Sequence, residues 1–165
     1  WLAKYPDSQV LQYDPTFQKQ YAIRTALLNY EVSLPGWHMQ ASPPLVVGVE
    51  VAGVARAYDW NELVKHRLVE DEAGGVALLA VTDEAGESAF VYDRTVDGTT
   101  LTFAPAKDGM KDSETGSSWD CFGRCTKGKL KGKSLSQLQS YKQYVRAWVT
   151  FHPDASFYDF QNAAK

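Results

Sequence analysis

The stretch 45–64, LVVGVEVAGVARAYDWNELV, constrains the fold of this chain more than any other. Valine alternates with other residues over 47–51, which predicts a strand with one buried face. The alternation resumes over 54–58 after Ala52-Gly53, a pair that suits a two-residue turn. The sequence therefore predicts a β-hairpin whose strands present apolar side chains to the same core.

A helix is expected to follow this hairpin directly. Asp59 is a residue type that caps helix N-termini, and Glu62 stands three positions later, as in a capping box. The apolar pair Leu63 and Val64 comes next. Strand, turn, strand and helix are thus specified by one continuous stretch.

Length and composition indicate one globular domain. The chain has 165 residues, of which 44% are hydrophobic and 22% are charged. This length suits a single domain, and the composition is that of an ordinary globular protein. No apolar run reaches the length of a membrane-spanning helix, and the start lacks a signal-peptide pattern. We therefore expect no transmembrane segment.

Charge is unevenly distributed along the chain, although the net charge is only -3. Between Cys121 and Pro153 there is no Asp or Glu, and the hairpin expected there carries Arg124, Lys127, Lys129, Lys131 and Lys133. We interpret these basic residues as a solvated face against an acidic neighbour; the alternative is an interaction patch for an anion or an acidic partner. Aromatic residues do not interleave the lysine run, so we expect no nucleic-acid binding.

Further strand signals follow the opening unit. An apolar run at 76–81, an alternating segment at 88–94 and the turn pair Asp97-Gly98 predict strands joined by hairpins. The acidic stretch 70–75 is expected to be a turn, and two more strands are expected to flank 114–116. The predicted class is α+β, mainly β: a largely antiparallel or barrel-like sheet with two or three short helices.

A short pattern occurs near both ends of the chain. Residues 1–14 read WLAKYPDSQVLQYD and residues 148–160 read WVTFHPDASFYDF, so a tryptophan precedes Pro-Asp at the same spacing. We interpret both as a helix end, a stop at Pro-Asp and a short strand. The second copy has an upstream helix, predicted over 141–148 with Ser140 as its cap. The first copy lacks one, so we expect the chain to begin inside an element of a longer precursor.

The predicted single domain has three parts. Residues 1–44 hold a terminal strand and a long connecting segment, residues 45–135 hold the β-rich core, and residues 136–165 hold the C-terminal helix and strand. Weak periodicity and proline-containing turns mark the connection. A connection this long is usually functional or in contact with a partner.

The chain has two cysteines, Cys121 and Cys125, in the sequence CFGRC. The central glycine allows two strand-end side chains to meet across a hairpin turn, and we expect a small structural disulfide. The alternative is a redox or copper-binding dithiol that a histidine completes.

The three histidines do not form a metal-binding pattern. His38 stands beside Met39, a pair of haem or copper ligand types, but adjacent residues rarely point at one metal. His66 is expected near the end of the first helix, where the dipole favours a cation, and His152 corresponds to Tyr5 in the repeated pattern. No cofactor is predicted. If copper or haem is bound, the candidate ligands are His38, Met39, His66, Cys121 and Cys125.

No catalytic constellation is recognised in the sequence. The chain lacks a Ser-His-Asp order, a nucleophile elbow and a phosphate-binding loop. Glu50, Glu62, Asp93 and Asp112 have no spacing that places them in one cleft, and turn or ion-pair roles suit them better. We predict no catalytic residues and favour a role other than that of an enzyme.

Several segments occur in an order that is typical of one known family. They are VGVEVAGVARAY at 47–58, YDRTVDGTTLTF at 92–103, DSETGSSW at 112–119, GKLKGKSL at 128–135 and the tryptophan-to-aspartate segment at 148–154. With these motifs the chain resembles the domain of unknown function 3179 family. The similarity covers nearly the whole chain except 13–44. The resemblance implies a prokaryotic, extracytoplasmic protein, and no activity is established for the family.

Two features of that family differ here. Many members have a tryptophan-histidine-glutamate helix start and a Cys-x-x-Cys strand turn, which together resemble a metal or redox site. This chain has Asn61 between Trp60 and Glu62, and VTDEAG at 81–86 contains no cysteine. Asparagine or aspartate cannot replace a thiolate as a soft ligand. The chemistry of that site is therefore not expected in this chain.

The sequence favours a non-catalytic extracytoplasmic domain for binding or assembly, within a larger complex. A protein partner or self-assembly is expected. The alternative function is a metal- or haem-linked redox protein that uses Cys121 and Cys125.

Overall fold

The computed structural model describes residues 5–9, 15–17, 19, 44–107 and 109–161. The chain forms two compact units, residues 1–42 and residues 43–165. In the first unit, the described residues include a turn at Pro6 and Asp7 and a short 3-10 helix, Pro15–Phe17. The sheets and helices presented below belong to the second unit.

The described part of the second unit contains fourteen strands and two short α-helices. In chain order they are β1 (Leu45–Val51), β2 (Val54–Asp59), α1 (Trp60–His66), β3 (Leu68–Ala73), β4 (Val76–Thr82), β5 (Ala89–Asp93), β6 (Thr95–Val96), β7 (Thr99–Thr100), β8 (Phe103–Ala106), β9 (Gly109–Asp112), β10 (Ser118–Trp119), β11 (Cys125–Lys127), β12 (Ser136–Leu138), β13 (Ser140–Tyr144), α2 (Val145–Phe151) and β14 (Ser156–Phe157).

These strands form three four-stranded sheets and a two-stranded ribbon. Sheet I has the order β13-β1-β2-β14, sheet II the order β12-β5-β4-β3, and sheet III the order β11-β10-β9-β8, while β6 pairs with β7. Strand β14 runs parallel to β2, and the other described pairings are antiparallel. The predicted class, α+β and mainly β, is confirmed.

Sheet II is the middle layer of the stack. In β4, Leu78 and Ala80 belong to the core shared with sheet I, whereas Leu79 and Val81 belong to the core shared with sheet III. Because both faces are covered, β4 has a continuous apolar sequence in place of alternation. The apolar run that predicts a strand at 76–81 is therefore explained by burial on both sides.

The β1–β2 hairpin forms as predicted. Val47 pairs with Tyr58, and Val51 pairs with Val54. Ala52 and Gly53 have φ values of 49° and 76°, and positive φ at both central residues is the type I′ turn that matches strand twist. The hairpin forms the two inner strands of sheet I.

Helix α1 begins where Asp59 caps it. Asp59 Oδ1 accepts a hydrogen bond from the Glu62 backbone N–H at 3.0 Å. Leu63 is fully buried in the core between sheets I and II. The predicted cap at Asp59 is confirmed. The Glu62 side chain lies 3.4 Å from Lys65 Nζ, the partner that the structure gives it on the same helix.

The acidic stretch 70–75 is not a turn, because most of it belongs to β3. Two arginine side chains, one from β2 and one from the residue after β5, pair with two of its carboxylates. Arg56 Nε lies 2.6 Å from Asp71 Oδ2, and a second guanidinium nitrogen lies 2.9 Å from Oδ1. Arg94 lies 3.8 Å from Glu70. Bidentate pairing of this kind permits an acidic strand inside a stack of sheets.

Helix α2 starts later than predicted, and the predicted cap at Ser140 is wrong. Residues Ser140–Tyr144 form β13, which pairs with β1, and the helix begins at Val145. Tyrosines at positions 141 and 144 suit a strand as well as a helix face. Pairing with β1 decides between them, because it satisfies the backbone groups of this segment.

Trp148 holds α2 against the outer face of sheet I. Its ring lies on Gly48 of β1, and a Cβ atom at position 48 would overlap the ring. Val46 and Ala57 complete this small core. A glycine within a strand here serves the close approach of a large side chain.

The Pro-Asp segments of the repeated pattern form the same turn. Ser8 N donates to Tyr5 O at 3.1 Å, and at the corresponding positions Ala155 N donates to His152 O at 3.0 Å. After the second turn, β14 pairs with β2. Trp1 lies outside the described residues, so the observed similarity concerns the turn.

Candidate functional site

The two cysteines stand at either end of the turn that joins β10 to β11. Asp120 N donates to Arg124 O at 3.0 Å, and Asp120 Oδ1 accepts from Arg124 N at 2.9 Å. Gly123 has a φ of 72°, in the left-handed region. The residues between the cysteines thus form a tight hairpin turn, as predicted.

Both Cys121 and Cys125 are free thiols, so the predicted disulfide is wrong. Cys125 pairs with Trp119 within sheet III, is 4% exposed, and has its Sγ 3.4 Å from Lys127 O. Cys121 lies in the turn, and it lines a cleft. Both cysteines contact the same core, but they differ in exposure, because Cys125 is buried and Cys121 is partly exposed.

A cleft with a volume of about 120 Å³ lies beside Cys121, and we call it the Cys121 cleft. Its polar lining residues are Arg67, Thr82, Glu84, Asp120 and Cys121. Its apolar lining includes Leu68, Val81 and Pro105. The end of α1, the end of β4 and the β10–β11 turn meet at this place.

Arg67 ends α1 in a conformation that side-chain-bearing residues rarely adopt. Its φ is 65°, its N–H donates to Leu63 O at 2.7 Å, and its carbonyl accepts from Thr82 N at 3.0 Å. Glycine is the usual residue in such a position. Strained non-glycine residues concentrate at functional sites, which supports the cleft as the candidate site.

Thr82 is a lining residue of the cleft, and its hydroxyl is buried without a partner. The residue is 3% exposed, and its Oγ1 has no hydrogen-bond partner in the described structure. Leaving a buried hydroxyl unpaired costs about 1–3 kcal/mol. Among the described residues, no other buried hydroxyl is in this state.

The cleft is acidic. Burial raises the pKa of the Cys121 thiol, and the negative charges of Asp120, Asp83 and Glu84 raise it further. Burial also raises the pKa of Cys125. Cysteines act as nucleophiles and metal ligands in the thiolate form, whereas both thiols here are protonated at neutral pH.

Asp112 is a buried carboxylate with a structural role. Its Oδ1 accepts from Thr115 N at 2.6 Å, and its Oδ2 accepts from Trp119 Nε1 at 2.8 Å and Ser117 N at 3.1 Å. Burial raises its pKa, but these hydrogen bonds outweigh burial and hold the pKa of Asp112 below the usual 3.8. The motif DSETGSSW is thus a turn closed around an ionised carboxylate.

We expect Asp112→Asn to destabilise the fold by about 2–3 kcal/mol, because an NH₂ group would replace an acceptor and face other donors. Since the folded-state pKa of Asp112 is lowered, its stabilising contribution is complete at neutral pH and declines as the pH falls below 3.8. Urea unfolding at pH 7 and pH 3 measures this difference.

The exposed Asp154 provides the matched control, because Asp154→Asn should leave the unfolding free energy almost unchanged. The difference in unfolding free energy between wild type and Asp112→Asn should be smaller at pH 3 than at pH 7. An equal difference at both pH values would contradict an ionised Asp112 in the folded state.

The other candidate carboxylates make local contacts away from the cleft. Glu62 approaches Lys65 on α1, and Asp93 Oδ1 accepts from Thr95 N at 2.8 Å. Glu50 Oε2 lies 3.7 Å from His152 Nδ1. The described lining of the Cys121 cleft includes none of the three.

The candidate histidine ligands are not brought together. His66 is on α1, whereas the His152 ring lies on Trp148 with 3.9 Å between ring centroids. His38 and Met39 lie outside the described residues. In the parts of the chain that the structure describes, no three His, Cys, Asp or Glu side chains are grouped as a metal ion requires.

The fold brings together the two places where the family pattern differs. Gly86 packs against Val64, and Asn61 precedes Val64 by one turn of α1. Lys142 of β13 lies nearby, with its Nζ 3.9 Å from the centroid of the Trp60 ring. The same Lys142 Nζ donates to Glu87 O at 2.8 Å, so this ammonium group contacts both the start of α1 and the chain next to Gly86.

The predicted basic patch lies on an exposed surface. Its residues are Arg124, Lys127, Lys129, Lys131 and Lys133. Lys133 Nζ lies 3.0 Å from Asp97 Oδ2, and the lysine side chain is 51% exposed. An exposed pair of this kind contributes little stability. The patch is a solvated face, and Asp97 is the acidic neighbour of Lys133. Its role as an interaction patch stays a prediction.

Comparison with known proteins identifies the family. The family model described as a protein of unknown function, DUF3179, matches residues 1–155. The chain belongs to this family. The resemblance seen in the sequence motifs is confirmed, while no curated protein and no solved structure gives a match. Among the described residues of this DUF3179 domain, no helix combines the length and the apolar character needed to cross a membrane.

Sequence reasoning on this DUF3179 domain identified Cys121 but missed the cleft around it. Arg67 and Thr82 belong to no motif. One signal was available, because an arginine follows α1 at a position where glycine is usual. The unpaired state of Thr82 depends on burial by distant elements, so the sequence contains no sign of it.

Proposed function

We propose that this protein is a non-catalytic extracytoplasmic binding domain and that the Cys121 cleft is its ligand site. The observation that carries the proposal is the composition of the cleft, where the polar residues Glu84, Asp120 and Cys121 line one concave site together with an apolar wall. The extracytoplasmic location is part of the proposal and rests on the resemblance to the family.

The side chains of the cleft suit binding better than catalysis. Cys121 is protonated at neutral pH because burial and nearby carboxylates raise its pKa, so it is a poor nucleophile. The described lining contains no histidine that would activate it. Ligand sites combine an apolar wall with a few polar groups; this cleft has both, at a size that only a small ligand fits.

Fragment binding to the ¹⁵N-labelled chain tests this proposal. Small fragments that bind should shift the amide resonances of Thr82, Glu84 and Cys121. The variant Cys121→Phe should abolish these shifts, because a phenyl ring would fill the cleft. Thr126→Phe, which adds the same ring at an exposed position of β11, should retain them. Identical fragment binding by Cys121→Phe would exclude the cleft as the site.

The alternative function is a metal- or haem-linked redox protein that uses Cys121 and Cys125. The raised pKa values of the two free thiols favour the binding function. Neither thiol is activated as a thiolate, which redox and soft-metal chemistry requires.

Alkylation with iodoacetamide distinguishes the two functions. Because the thiolate is the reacting form and the pKa of Cys121 is raised, the rise of its reaction rate with pH should be half complete only above the usual pKa of 9.0. Removing one negative charge with Glu84→Gln should shift this rise to lower pH. A rate that is already maximal at pH 7, or stoichiometric copper or haem in the purified protein, would favour the redox function.

Assembly is a second candidate function, and aromatic residues on the outer side of sheet I favour it. Tyr141 pairs with Gly48, and Phe157 pairs with Ala57. Tyr141 and Phe157 therefore lie on the side of the sheet that α2 covers. They are 50% and 45% exposed, and Phe151 at the end of α2 is 77% exposed. Exposed aromatic residues are enriched in protein interfaces.

Sedimentation velocity over a range of concentrations tests self-assembly. The wild-type chain should form larger species as its concentration rises, because association would cover these rings. The double variant Tyr141→Ser/Phe157→Ser should remain monomeric, while Val54→Ser, at an exposed residue beside the β1–β2 turn, should behave as wild type. A wild-type monomer at all concentrations would contradict self-assembly.

A further inference from the structure

We propose that the outer edge of β13 is a docking surface for an extended strand, and that its partner is the same edge of a second copy of this chain. The inference rests on the assembly function proposed above and deepens it, because it names the pairing surface and the partner. It does not depend on the Cys121 cleft. Backbone direction, the lack of edge protection and the pairing register each support it.

The strand β13 has one side without a partner strand. It is the first strand in the order of sheet I and pairs with β1, and in the described parts of the chain no strand lies on its other side. Val145 N donates to Pro44 O at 3.0 Å. Hydrogen-bonded pairs alternate along an antiparallel ladder with pairs whose backbone groups point away from each other. The N–H and C=O groups of Ser140, Lys142 and Tyr144 therefore point away from β1, toward the open edge.

The other edge strands of the three described sheets are protected against such pairing, whereas β13 is not. Charged residues, proline and short length are common protections of a sheet edge. The strand β3 has the acidic sequence LVEDEA, β8 contains Pro105, and β11, β12 and β14 have only two or three residues. By contrast, β13 has five residues without proline, and its register with β1 is continuous over all of them.

The charged residue of β13 does not shield this edge. Lys142 Nζ lies 3.9 Å from the centroid of the Trp60 ring and donates to Glu87 O at 2.8 Å. These contacts hold the ammonium group within its own chain. An edge lysine prevents pairing when its charge is free to oppose an incoming strand, so Lys142 gives β13 little protection.

A second copy of the chain fits this edge. Antiparallel pairing of two β13 strands is isologous and closes as a dimer. A register with Lys142 opposite Lys142 of the second copy would set like charges against each other, which is destabilising. A register with Lys142 opposite Tyr144 of the second copy avoids this, and it joins residues whose backbone groups all point to the edge. It also covers Tyr144, which is 54% exposed in the single chain.

The variant Tyr144→Pro tests the edge while leaving the pairing with β1 intact. Tyr144 has φ −66° and ψ 138°, which proline adopts without strain, and its N–H points away from β1. The variant should therefore melt at the wild-type temperature or slightly above it. It lacks an N–H that the second strand requires, so we expect it to remain monomeric. The control Tyr144→Val keeps the N–H and a residue type that favours strands, so it should dimerise only several-fold more weakly than wild type.

Sedimentation velocity of the three chains measures the dimer. Pairing through one short edge is expected to be weak, so the concentrations should run from about 10 µM to about 1 mM. We expect wild type and Tyr144→Val to dimerise and Tyr144→Pro not to. Equal dimerisation of Tyr144→Pro would overturn the edge as the interface and leave assembly through the aromatic residues of sheet I standing. A wild-type monomer at all concentrations would overturn both.

Hydrogen exchange of the wild-type chain gives a second readout that requires no variant. The amides of Lys142 and Tyr144 should exchange more slowly in concentrated than in dilute solution, because the second strand would bind them. The amides of Tyr141 and Gln143 point to β1 and should exchange equally in both. Unchanged exchange of Lys142 and Tyr144 in a solution that contains the dimer would exclude strand pairing at this edge.

Discussion

Burial of sheet II on both faces is the constraint on which the second unit depends. A strand with no solvent-facing side must be apolar on both sides, as β4 is. The edge strand β3 is partly exposed, and its half-buried Glu70 and Asp71 pair with arginines. The pairing of Asp71 with Arg56 of β2 therefore belongs to the packing of sheet I on sheet II. The cleft lies at one end of these packed sheets, next to the last residue of β4 and the first residue after α1.

How much the sequence predicts depends on the range of the interactions involved. The β1–β2 hairpin and the cap at Asp59 are encoded by neighbouring residues, and both are found as expected. The start of α2 was misplaced because position 141 suits a helix face until pairing with β1 decides otherwise. The spacing of the cysteines allows a disulfide, but both thiols are free: Cys125 is buried in the core of sheet III, and Cys121 is partly exposed at the cleft.

The motifs that identify the family describe its folding more than its chemistry. DSETGSSW closes a turn around Asp112, and the hairpin motif at 47–58 builds the inner strands of sheet I. The residues that make the cleft distinctive, Arg67 and Thr82, lie outside both. Family membership therefore fixes the scaffold, while the cleft depends on side chains at the ends of elements, where substitution leaves the sheets intact.

The contact between Gly48 and Trp148 has a consequence for related sequences. Since the indole ring occupies the space that a side chain at position 48 would need, the two positions are not free to vary independently. A bulkier residue on β1 requires a smaller one on α2, as in any tightly packed pair. Substitutions at positions 48 and 148 should therefore be correlated across the family. This correlation would show whether the C-terminal helix packs on β1 in the same way in distantly related chains.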